Sequence, residues 1–382
     1  MLGVDGRTGN AGAGEPADCR LESGKKHHRE HDGDERPALE RGACWSFPGC
    51  FGRSGNVGGC GRRVQSDSLS LQRLTSRAAS ISLSPILRAI KFAPLLLLLA
   101  CSPKRFALNH VADAIADTGE GSAFAREDDP ELVRDAVPFA LKTMETLSDE
   151  LDDHVALRLG LARGFTQYAY AFLQQPAELG APRDQAQAAM LRARRMYLRA
   201  RDYGAEGLKL ARGVGLQELR TPAGLSRLQK DDVPLLYWTL ASWAAAIAAN
   251  KRDLELVGDV PLIASLLDRA LQLDEAYDHG ALHEFAITFD PARPEGTTPQ
   301  RQRQHFDRVR ELSRGEKISP LVTYAEAVSG PAQNKREYEG LLKEAASFDV
   351  DQPKARNNRL VNVLAQRRAR YLLAHEDDVF PD

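Results

Sequence analysis

Hydrophobic residues recur every three to four positions from about residue 104 to residue 378, which is the spacing of one face of an α-helix. Strict alternation of Val, Ile or Thr with polar residues, the usual mark of a strand, is nearly absent from the same stretch. The pattern therefore predicts an all-α fold. The predicted helices cover residues 104–117, 126–147, 154–174, 184–212, 231–250, 258–274, 279–289, 299–313, 319–328, 335–347 and 354–374.

An aspartate shortly before a proline marks three of the predicted helix starts. Asp129 precedes Pro130, which favours Asp129 as the N-cap and Pro130 as the first helical residue, where a missing N–H costs nothing. Asp232 and Asp259 precede prolines in a similar way and are predicted to cap their helices. Pro138 lies inside a predicted helix and is expected to kink it.

The predicted helices come in pairs that can be laid over one another as helix, polar turn and second helix. The run ALQLDEAY (270–277) resembles the seam of a tetratricopeptide repeat, with Glu275 where that seam has Pro. We therefore expect a tetratricopeptide-like helical-repeat solenoid of antiparallel helix pairs. The matching stretches are residues 266–285, 305–324 and 338–360, with residues 139–160 following more loosely.

The first 80 residues lack both periodicities and are crowded with Gly, Arg, Ser and Asp. Such a composition cannot bury enough apolar surface to offset the conformational entropy of the chain. We expect residues 1–80 to be a disordered or non-native extension, and we favour a start codon assigned too far upstream. The four cysteines of this stretch form no Cys-x-x-Cys pair, which argues against zinc. They are Cys19, Cys44, Cys50 and Cys60.

The longest apolar run of the chain ends in a cysteine. Residues 92–100 read FAPLLLLLA and are too short for a bilayer span of about 20 apolar residues. The following step, L-L-A-C, ends at Cys101 and resembles the lipobox of bacterial lipoprotein signals. We expect residues 81–100 to be a lipoprotein signal peptide, Cys101 to carry lipid, and residues 101–382 to form the helical-repeat domain. The alternative is a buried core segment with a chance cysteine.

The same interpretation predicts where the protein resides. Cys101 is the only cysteine of residues 101–382, which suits an oxidising periplasm. Ser102 follows it, and serine at that position is compatible with transfer to the outer membrane where sorting is standard. We expect a protein that faces the periplasm and is anchored to the bacterial cell envelope by lipid, with the outer membrane favoured.

The charge balance argues against nucleic acid as a partner. The whole chain has a net charge of −2, but its two parts differ. Residues 1–100 hold 14 Lys+Arg and 10 Asp+Glu, whereas the remainder holds 37 and 43, a net charge of −6. A mildly acidic body is poorly suited to a phosphate backbone.

No motif of the sequence predicts catalysis, a metal or a cofactor. His279 and His283 are spaced i,i+4, but the order of the neighbouring acids matches neither H-E-x-x-H nor H-x-x-E-H. Gly280 weakens the helix start, so His279 is expected in a turn, and both histidines are expected to cap or pack. The sequence also lacks G-x-S-x-G, a glycine-rich phosphate loop and a cysteine nucleophile with a histidine partner. We therefore expect a protein that is not an enzyme.

Two aromatic stripes remain as candidates for ligand binding. Phe165, Tyr168 and Phe172 recur at i, i+3 and i+7 on one helical face, and Tyr170 points elsewhere. The helix of residues 231–250 carries one aromatic residue on each of two stripes, and both could equally be core. The candidate lining of an apolar cleft is Phe165, Tyr168, Phe172, Trp238 and Trp243.

The chain resembles the TRAP-transporter T-component family over residues 98–375. That family consists of periplasmic lipoproteins of tetratricopeptide-like helices. The resemblance implies partnership with the solute-binding P-component of a tripartite ATP-independent periplasmic transporter, self-association around a pore, and apolar ligands; it assigns only the lipid-attachment Cys101. It rests on LLACSPKRFALNHVADAIADTG, DDPELVRDAVPFALKTMETL, GFTQYAYAFLQQ, RARRMYLRARDYGAEGL, DDVPLLYWTLASWAAAI, LIASLLDRALQLDEAYDHGALHEF, SPLVTYAEAVSGPAQNKREYEGLL and NVLAQRRARYLL, in this order.

The sequence therefore favours a membrane-tethered adaptor that holds a periplasmic solute-binding protein and shelters or passes a small hydrophobic solute. The alternative is a general tetratricopeptide-repeat lipoprotein scaffold in envelope assembly or secretion. An undetected hydrolase is a third hypothesis, and a metal bound by His279 and His283 would favour it.

Overall fold

The computed structural model describes residues 103–381, and every regular element in that range is helical. The predicted all-α fold is therefore confirmed for these residues. The N-terminal extension, the signal peptide and Cys101 lie outside the described residues, so those three assignments stay predictions.

Fourteen α-helices follow one another in the described residues, with short 3₁₀ and π-helical turns between some of them. We number them α1 (Pro103–Ala116), α2 (Pro130–Glu150), α3 (Val155–Ala169), α4 (Gln175–Glu178), α5 (Arg183–Arg212), α6 (Pro222–Arg227), α7 (Val233–Ala248), α8 (Leu254–Val257), α9 (Val260–Asp274), α10 (Tyr277–Phe289), α11 (Pro299–Ser313), α12 (Ser319–Tyr324), α13 (Lys335–Ala346) and α14 (Arg359–Ala374).

The predicted N-caps have different outcomes. Asp129 caps α2, because its side chain accepts hydrogen bonds from the backbone N–H groups of Glu131 and Leu132. Asp232 and Asp259 occupy the N-cap positions of α7 and α9, but neither side chain accepts a bond from the first turn. The predicted capping by these two carboxylates is therefore wrong.

Arginines from earlier parts of the chain bind the carboxylates of Asp232 and Asp259 instead. Arg212 Nε lies 2.8 Å from Asp232 Oδ2, and Arg220 binds Asp259 through both ends of its fork, at 2.6 and 3.0 Å. A charge-assisted bond to a guanidinium is stronger than a bond to a neutral amide N–H. The two aspartates thus tie the start of each helix to an earlier part of the chain.

Consecutive long helices pack side by side, α3 against α5 and α5 against α7, and the closest approach uses glycine. Gly204 of α5 faces Thr239 of α7, and a Cβ at Gly204 would lie 3.3 Å from Thr239 Cα. Gly207, one turn further, faces Leu235 and Arg158. Because these positions carry no side chain, the two helix backbones can approach closely.

Buried apolar side chains form three clusters along the chain. The first joins α1, α2, α3 and α5, the second joins the end of α5 to α7, α9 and α10, and the third joins α10 to α14. The largest fully buried side chains include Met144, Leu161 and Tyr197 in the first cluster, Leu208, Leu236 and Trp243 in the second, and Phe306 and Tyr338 in the third.

The last long helix returns to the first quarter of the described chain. Arg367 of α14 binds Glu131 of α2 through two nitrogen–oxygen contacts of 2.6 and 3.0 Å. The backbone N–H of Leu360 donates to the carbonyl of Ala125 at 3.0 Å. Residues more than 230 positions apart are thus in direct contact.

Candidate functional site

Two π-helical turns interrupt the helical pattern, and one arginine joins the second turn to the short helix α4, which follows the first. The first turn is Tyr170–Gln174, directly after α3, and the second is Ala325–Ser329, directly after α12. Arg368 of α14 binds both carboxylate oxygens of Glu326 in the second turn, at 2.6 and 2.8 Å, and it binds Glu178 at 3.0 Å. π-helical turns are rare and occur frequently at functional sites, which directs attention to this region.

Burial and pairing have opposite effects on the guanidinium of Arg368. Burial disfavours its charge, but the bonds to Glu326 and the charges of Tyr170 and Glu178 raise its pKa overall. Only 12% of the Arg368 side chain is exposed. The residue is thus a fixed cation held between two acids from different parts of the chain.

Tyr170 lies close enough to Arg368 and to Tyr237 for their charges to influence one another, and we refer to Tyr170, Tyr237 and Tyr277 as the tyrosine cluster. The rings of Tyr237 and Tyr277 are 5.4 Å apart. Burial raises the pKa of Tyr237 well above its ordinary value, and the charges of Asp278 and Glu284 act in the same direction. Burial also raises the pKa of Tyr277, to about 12.

Tyr170 combines solvent accessibility with shielding. The residue is 44% exposed, yet burial raises the pKa of its phenol. A side chain on the outer surface would have an ordinary pKa, because bulk water stabilises its phenolate. We use the term recess for the surroundings of the tyrosine cluster, where Tyr170 keeps contact with water although many protein atoms surround its phenol.

Glu284 of α10 is a shielded acid beside the tyrosine cluster. The hydroxyls of Ser319 and Thr323 each donate to its carboxylate at 3.0 Å. Burial nevertheless raises the pKa of Glu284, because the loss of hydration outweighs these bonds and the nearby charge of Lys317. The recess therefore combines aromatic surfaces with an acid that is harder to ionise than usual.

One of the five predicted cleft residues borders the tyrosine cluster. Trp238 lies edge-on to Tyr237, with ring centres 4.9 Å apart, and the guanidinium of Arg163 lies 5.8 Å from its ring centre. Trp238 is 8% exposed, so it forms the back of the recess rather than its open surface.

The other four predicted residues lie in the hydrophobic clusters. Phe165 stacks on Tyr203 at 6.0 Å, and the Tyr168 and Phe172 rings are 5.4 Å apart in the first cluster. Trp243, which is 1% exposed, lies in the second cluster. The structure therefore groups these four with the core and brings only Trp238 to the recess.

A left-handed turn interrupts the first residues of α10 and carries His279. Asp278, His279 and Gly280 have φ values of 45°, 58° and 84°, so His279 lies in a turn as its sequence predicts. Its Nε2 lies 2.8 Å from Glu120 Oε2, and its Nδ1 lies 3.6 Å from Glu316 Oε2.

The contacts of His279 decide what its surroundings can hold. Ligand atoms of Glu120, His279 and Glu316 lie within 4.8 Å of one another, close enough for a metal ion. The carboxylates, however, contact opposite nitrogens of the ring. One carboxylate would have to move before both could join a single nitrogen on one ion. As placed, the three side chains tie the turn to two other segments.

His283 does not share a site with His279 and pairs with a third histidine instead. The Nδ1 atoms of His283 in α10 and His305 in α11 are 2.8 Å apart, so only one of them can carry a proton between the rings. Burial and the neighbouring His305 lower the pKa of His283. The pair borders a cavity of about 480 Å³ that is otherwise lined by Arg301, Gln304 and Arg308.

Asp290 anchors this region from beneath. The residue is fully buried, and its carboxylate binds Arg293 Nε at 2.6 Å and Arg301 Nε at 2.8 Å. Burial opposes its ionisation, but His305, Arg293 and Arg301 lower the pKa of Asp290 overall. The histidine pair thus rests on an ion-paired framework, which fits a structural role.

A comparison with known protein families shows to which family the chain belongs. The model of the family described as "TRAP transporter T-component" matches residues 126–380. The chain belongs to this family. The T-component family is part of a transport system and is not an enzyme family, which agrees with the absence of a catalytic motif in the sequence.

The chain is also similar to a second protein along most of its length. An "Uncharacterized protein" of Treponema pallidum (strain Nichols) is 31% identical over 314 residues, which cover 76% of this chain and 96% of the relative. Among residues 103–381, no helix combines the length and the apolar character that crossing a bilayer requires. Membership of the T-component family is consistent with a location at the cell envelope.

Sequence reasoning missed most of the residues that shape the recess. Tyr170 was visible only as the aromatic residue that departs from the stripe of Phe165, Tyr168 and Phe172. Glu284 stood beside a histidine motif, and Arg368 carried no signal at all. The partners of Arg368 lie 42 and 190 residues away, and no local pattern encodes such a separation.

Proposed function

We propose that this T-component is a periplasmic lipoprotein adaptor that associates with the solute-binding P-component of a TRAP-type transporter. The observation that carries the proposal is the family match over residues 126–380. A transport component without a membrane-crossing helix in its described residues needs other proteins to move a solute. A solute-binding partner supplies the recognition step, and the helical body supplies the surface that holds it.

We further propose that the recess at the tyrosine cluster shelters a small hydrophobic solute. Aromatic faces offer a large apolar contact area, and their hydroxyl groups keep one edge polar. Arg368 and Glu284 add polar groups at fixed places in the same region. Pockets that combine apolar walls with a few polar groups are typical of small-molecule binding. A solute with an apolar body and one polar end suits this arrangement.

The proposed anchor is lipid on Cys101, in the outer membrane in preference to the inner one. A single acyl chain binds a membrane only marginally, whereas the two or three chains of a bacterial lipoprotein hold firmly. The anchor would concentrate the adaptor at the envelope, where its partner receives solute. Self-association of the helical body around a pore is part of the same proposal.

Co-purification tests the partnership. The acylated protein would be captured from envelope membranes and its partners identified by mass spectrometry, with Cys101→Ala as the unanchored control. We expect a periplasmic solute-binding protein in the wild-type capture. Recovery of outer-membrane assembly or secretion proteins instead would contradict the transport role and favour the general scaffold.

Binding of a fluorescent fatty acid, cis-parinaric acid, tests the recess. Tyr170→Asp should weaken binding at least severalfold, because a charge would enter the aromatic recess. Leu210→Asp is the matched control, since Leu210 is 42% exposed against 44% for Tyr170 but lies outside the recess. Equal binding by the two variants would contradict a solute site at Tyr170.

A further inference from the structure

The first helix of the described chain leaves one face uncovered. Helix α1 packs through Ala112 and Ala116, which are 0% and 7% exposed, against α2 and α3. Phe106 and Val111 lie on the opposite side and are 67% and 48% exposed. Helical geometry places His110, Ala107 and Ala114 on the same outer arc as these two residues.

Each charged side chain of α1 is paired with the body of the protein. The helix contains Lys104 and Arg105 near its start, and its single acidic residue, Asp113, lies 3.2 Å from His154 of the body. Side chains of Lys104 and Arg105 are 73% and 53% exposed. The outer face thus presents the apolar side chains of Phe106 and Val111 to solvent, as in helices that lie on lipid surfaces.

The start of α1 cannot move far from Cys101. Cys101 stands two residues before Pro103, and two residues of fully extended chain span at most about 7 Å. The helix is also fixed to the body, because Lys104 binds Glu150 at 3.2 Å and Arg105 binds Asp153 at 2.8 Å. A lipid on Cys101 would therefore hold the whole body, and not a loose arm, against the membrane.

We propose that the outer face of α1, defined by Phe106, His110 and Val111, rests on the bilayer surface. The proposal rests on the acylation of Cys101 in the proposed function. A protein partner does not fit this position, because the tether of about 7 Å is shorter than the diameter of one helix, about 10 Å. Phe106 and Val111 then enter the interfacial layer of the bilayer.

The T-component family match begins at residue 126 and does not include α1. The bilayer contact is thus a property of the segment between the proposed anchor and the family region. The bilayer contact would orient the helical body, because the protein would touch the membrane along a rigid helix of 14 residues, about 21 Å long, and not only at its lipid anchor.

Tryptophan quenching by brominated lipid tests the contact. The acylated protein, which begins at Cys101 and therefore lacks Trp45, would be reconstituted into vesicles of phosphatidylethanolamine and phosphatidylglycerol that contain dibrominated phosphatidylcholine. Phe106→Trp places an indole on the proposed surface, and we expect its emission to fall about twofold relative to unbrominated vesicles. The native Trp238 and Trp243 are 8% and 1% exposed and supply a constant background.

Leu254→Trp is the matched control. Leu254 is 79% exposed, and its neighbour Asp253 pairs with Arg194 of α5 and not with any residue of α1. Its emission should not change with bromination. Equal quenching of both variants would overturn the proposal. Protection of the Phe106→Trp indole from quenching that increases with protein concentration would overturn it too, because it indicates that a second copy of the chain covers this face.

Mass spectrometry of the same samples separates the two levels of the proposal. If Cys101 carries lipid and the Phe106→Trp indole is not quenched, the bilayer contact is wrong and the anchor stands. If Cys101 carries no lipid, the anchoring step of the proposed function fails and the bilayer contact fails with it. Partnership with a solute-binding protein is measured independently by co-purification.

Discussion

The close approach of α5 and α7 predicts that two Gly→Ala substitutions in helices have opposite effects on stability. Gly204 lies in the middle of α5, and a Cβ there would meet the side chain of Thr239 and lie 3.3 Å from its Cα. Gly340 lies in the middle of α13, and a Cβ there would meet nothing within 4 Å. The two positions therefore share secondary structure and differ only in surroundings.

The magnitude follows from two competing effects. Replacing glycine by alanine inside an exposed helix stabilises it by roughly 0.8–1 kcal/mol. At Gly204 the new methyl displaces the Thr239 hydroxyl, which is fully buried and donates to Leu235 O at 2.7 Å. Loss of a buried hydrogen bond or overpacking of a core contact costs about 1–3 kcal/mol. We expect Gly204→Ala to destabilise the protein by about 1 kcal/mol and Gly340→Ala to stabilise it by a similar amount.

Urea unfolding followed by circular dichroism measures both variants. The double variant Gly204→Ala with Thr239→Ala removes the obstructing side chain, so its loss should be smaller than the two single losses together. If Gly204→Ala is as stabilising as Gly340→Ala, the two helices do not approach as described. Additive losses in the double variant would also refute the contact.

Three further predictions concern buried ionisable groups. Because burial lowers the pKa of His283 in the folded state, stability should fall as pH drops below about 6.5, and His283→Gln should flatten this dependence in urea unfolding. Burial raises the pKa of Glu284, so its ionisation opposes folding as pH rises above 4.5; Glu284→Gln should exceed wild-type stability at pH 7 and converge with it near pH 4. Asp290→Ala removes the fully buried partner of Arg293, which keeps its bonds to Asp268, and should lower the free energy of unfolding by about 1.5–3 kcal/mol. A His283→Gln variant with the pH profile of the wild type would contradict the assignment for His283. A Glu284→Gln variant no more stable than the wild type at pH 7 would contradict that for Glu284, and a loss below about 1 kcal/mol in Asp290→Ala would contradict that for Asp290.

Helices were predictable because their signal is local. The predicted ranges 184–212 and 299–313 correspond to α5 at Arg183–Arg212 and α11 at Pro299–Ser313. Amphipathic spacing, an N-terminal proline and a following glycine are all read within one segment. The order of the segments also sufficed to recognise the T-component family.

Features that depend on distant partners were not predictable. Asp232 and Asp259 have the sequence of N-caps, yet arginines 20 and 39 residues earlier bind them. Pro138 lies inside α2, which extends from Pro130 to Glu150, and the kink expected at this proline stays a prediction. A single sequence gives the preference of each residue and not the competitor that lies beside it in the folded chain.

The recess illustrates why the candidate site depends on contacts that a repeat pattern does not contain. In a linear array each repeat touches only its neighbours, so its surface can be read repeat by repeat. Here Arg368 of the last long helix binds Glu178 near the first π-helical turn and Glu326 in the second. The position of Tyr170 relative to Glu284 therefore depends on the docking of α14. A change that weakens the distant pair of Arg367 and Glu131 is expected to loosen the recess without touching any residue that lines it.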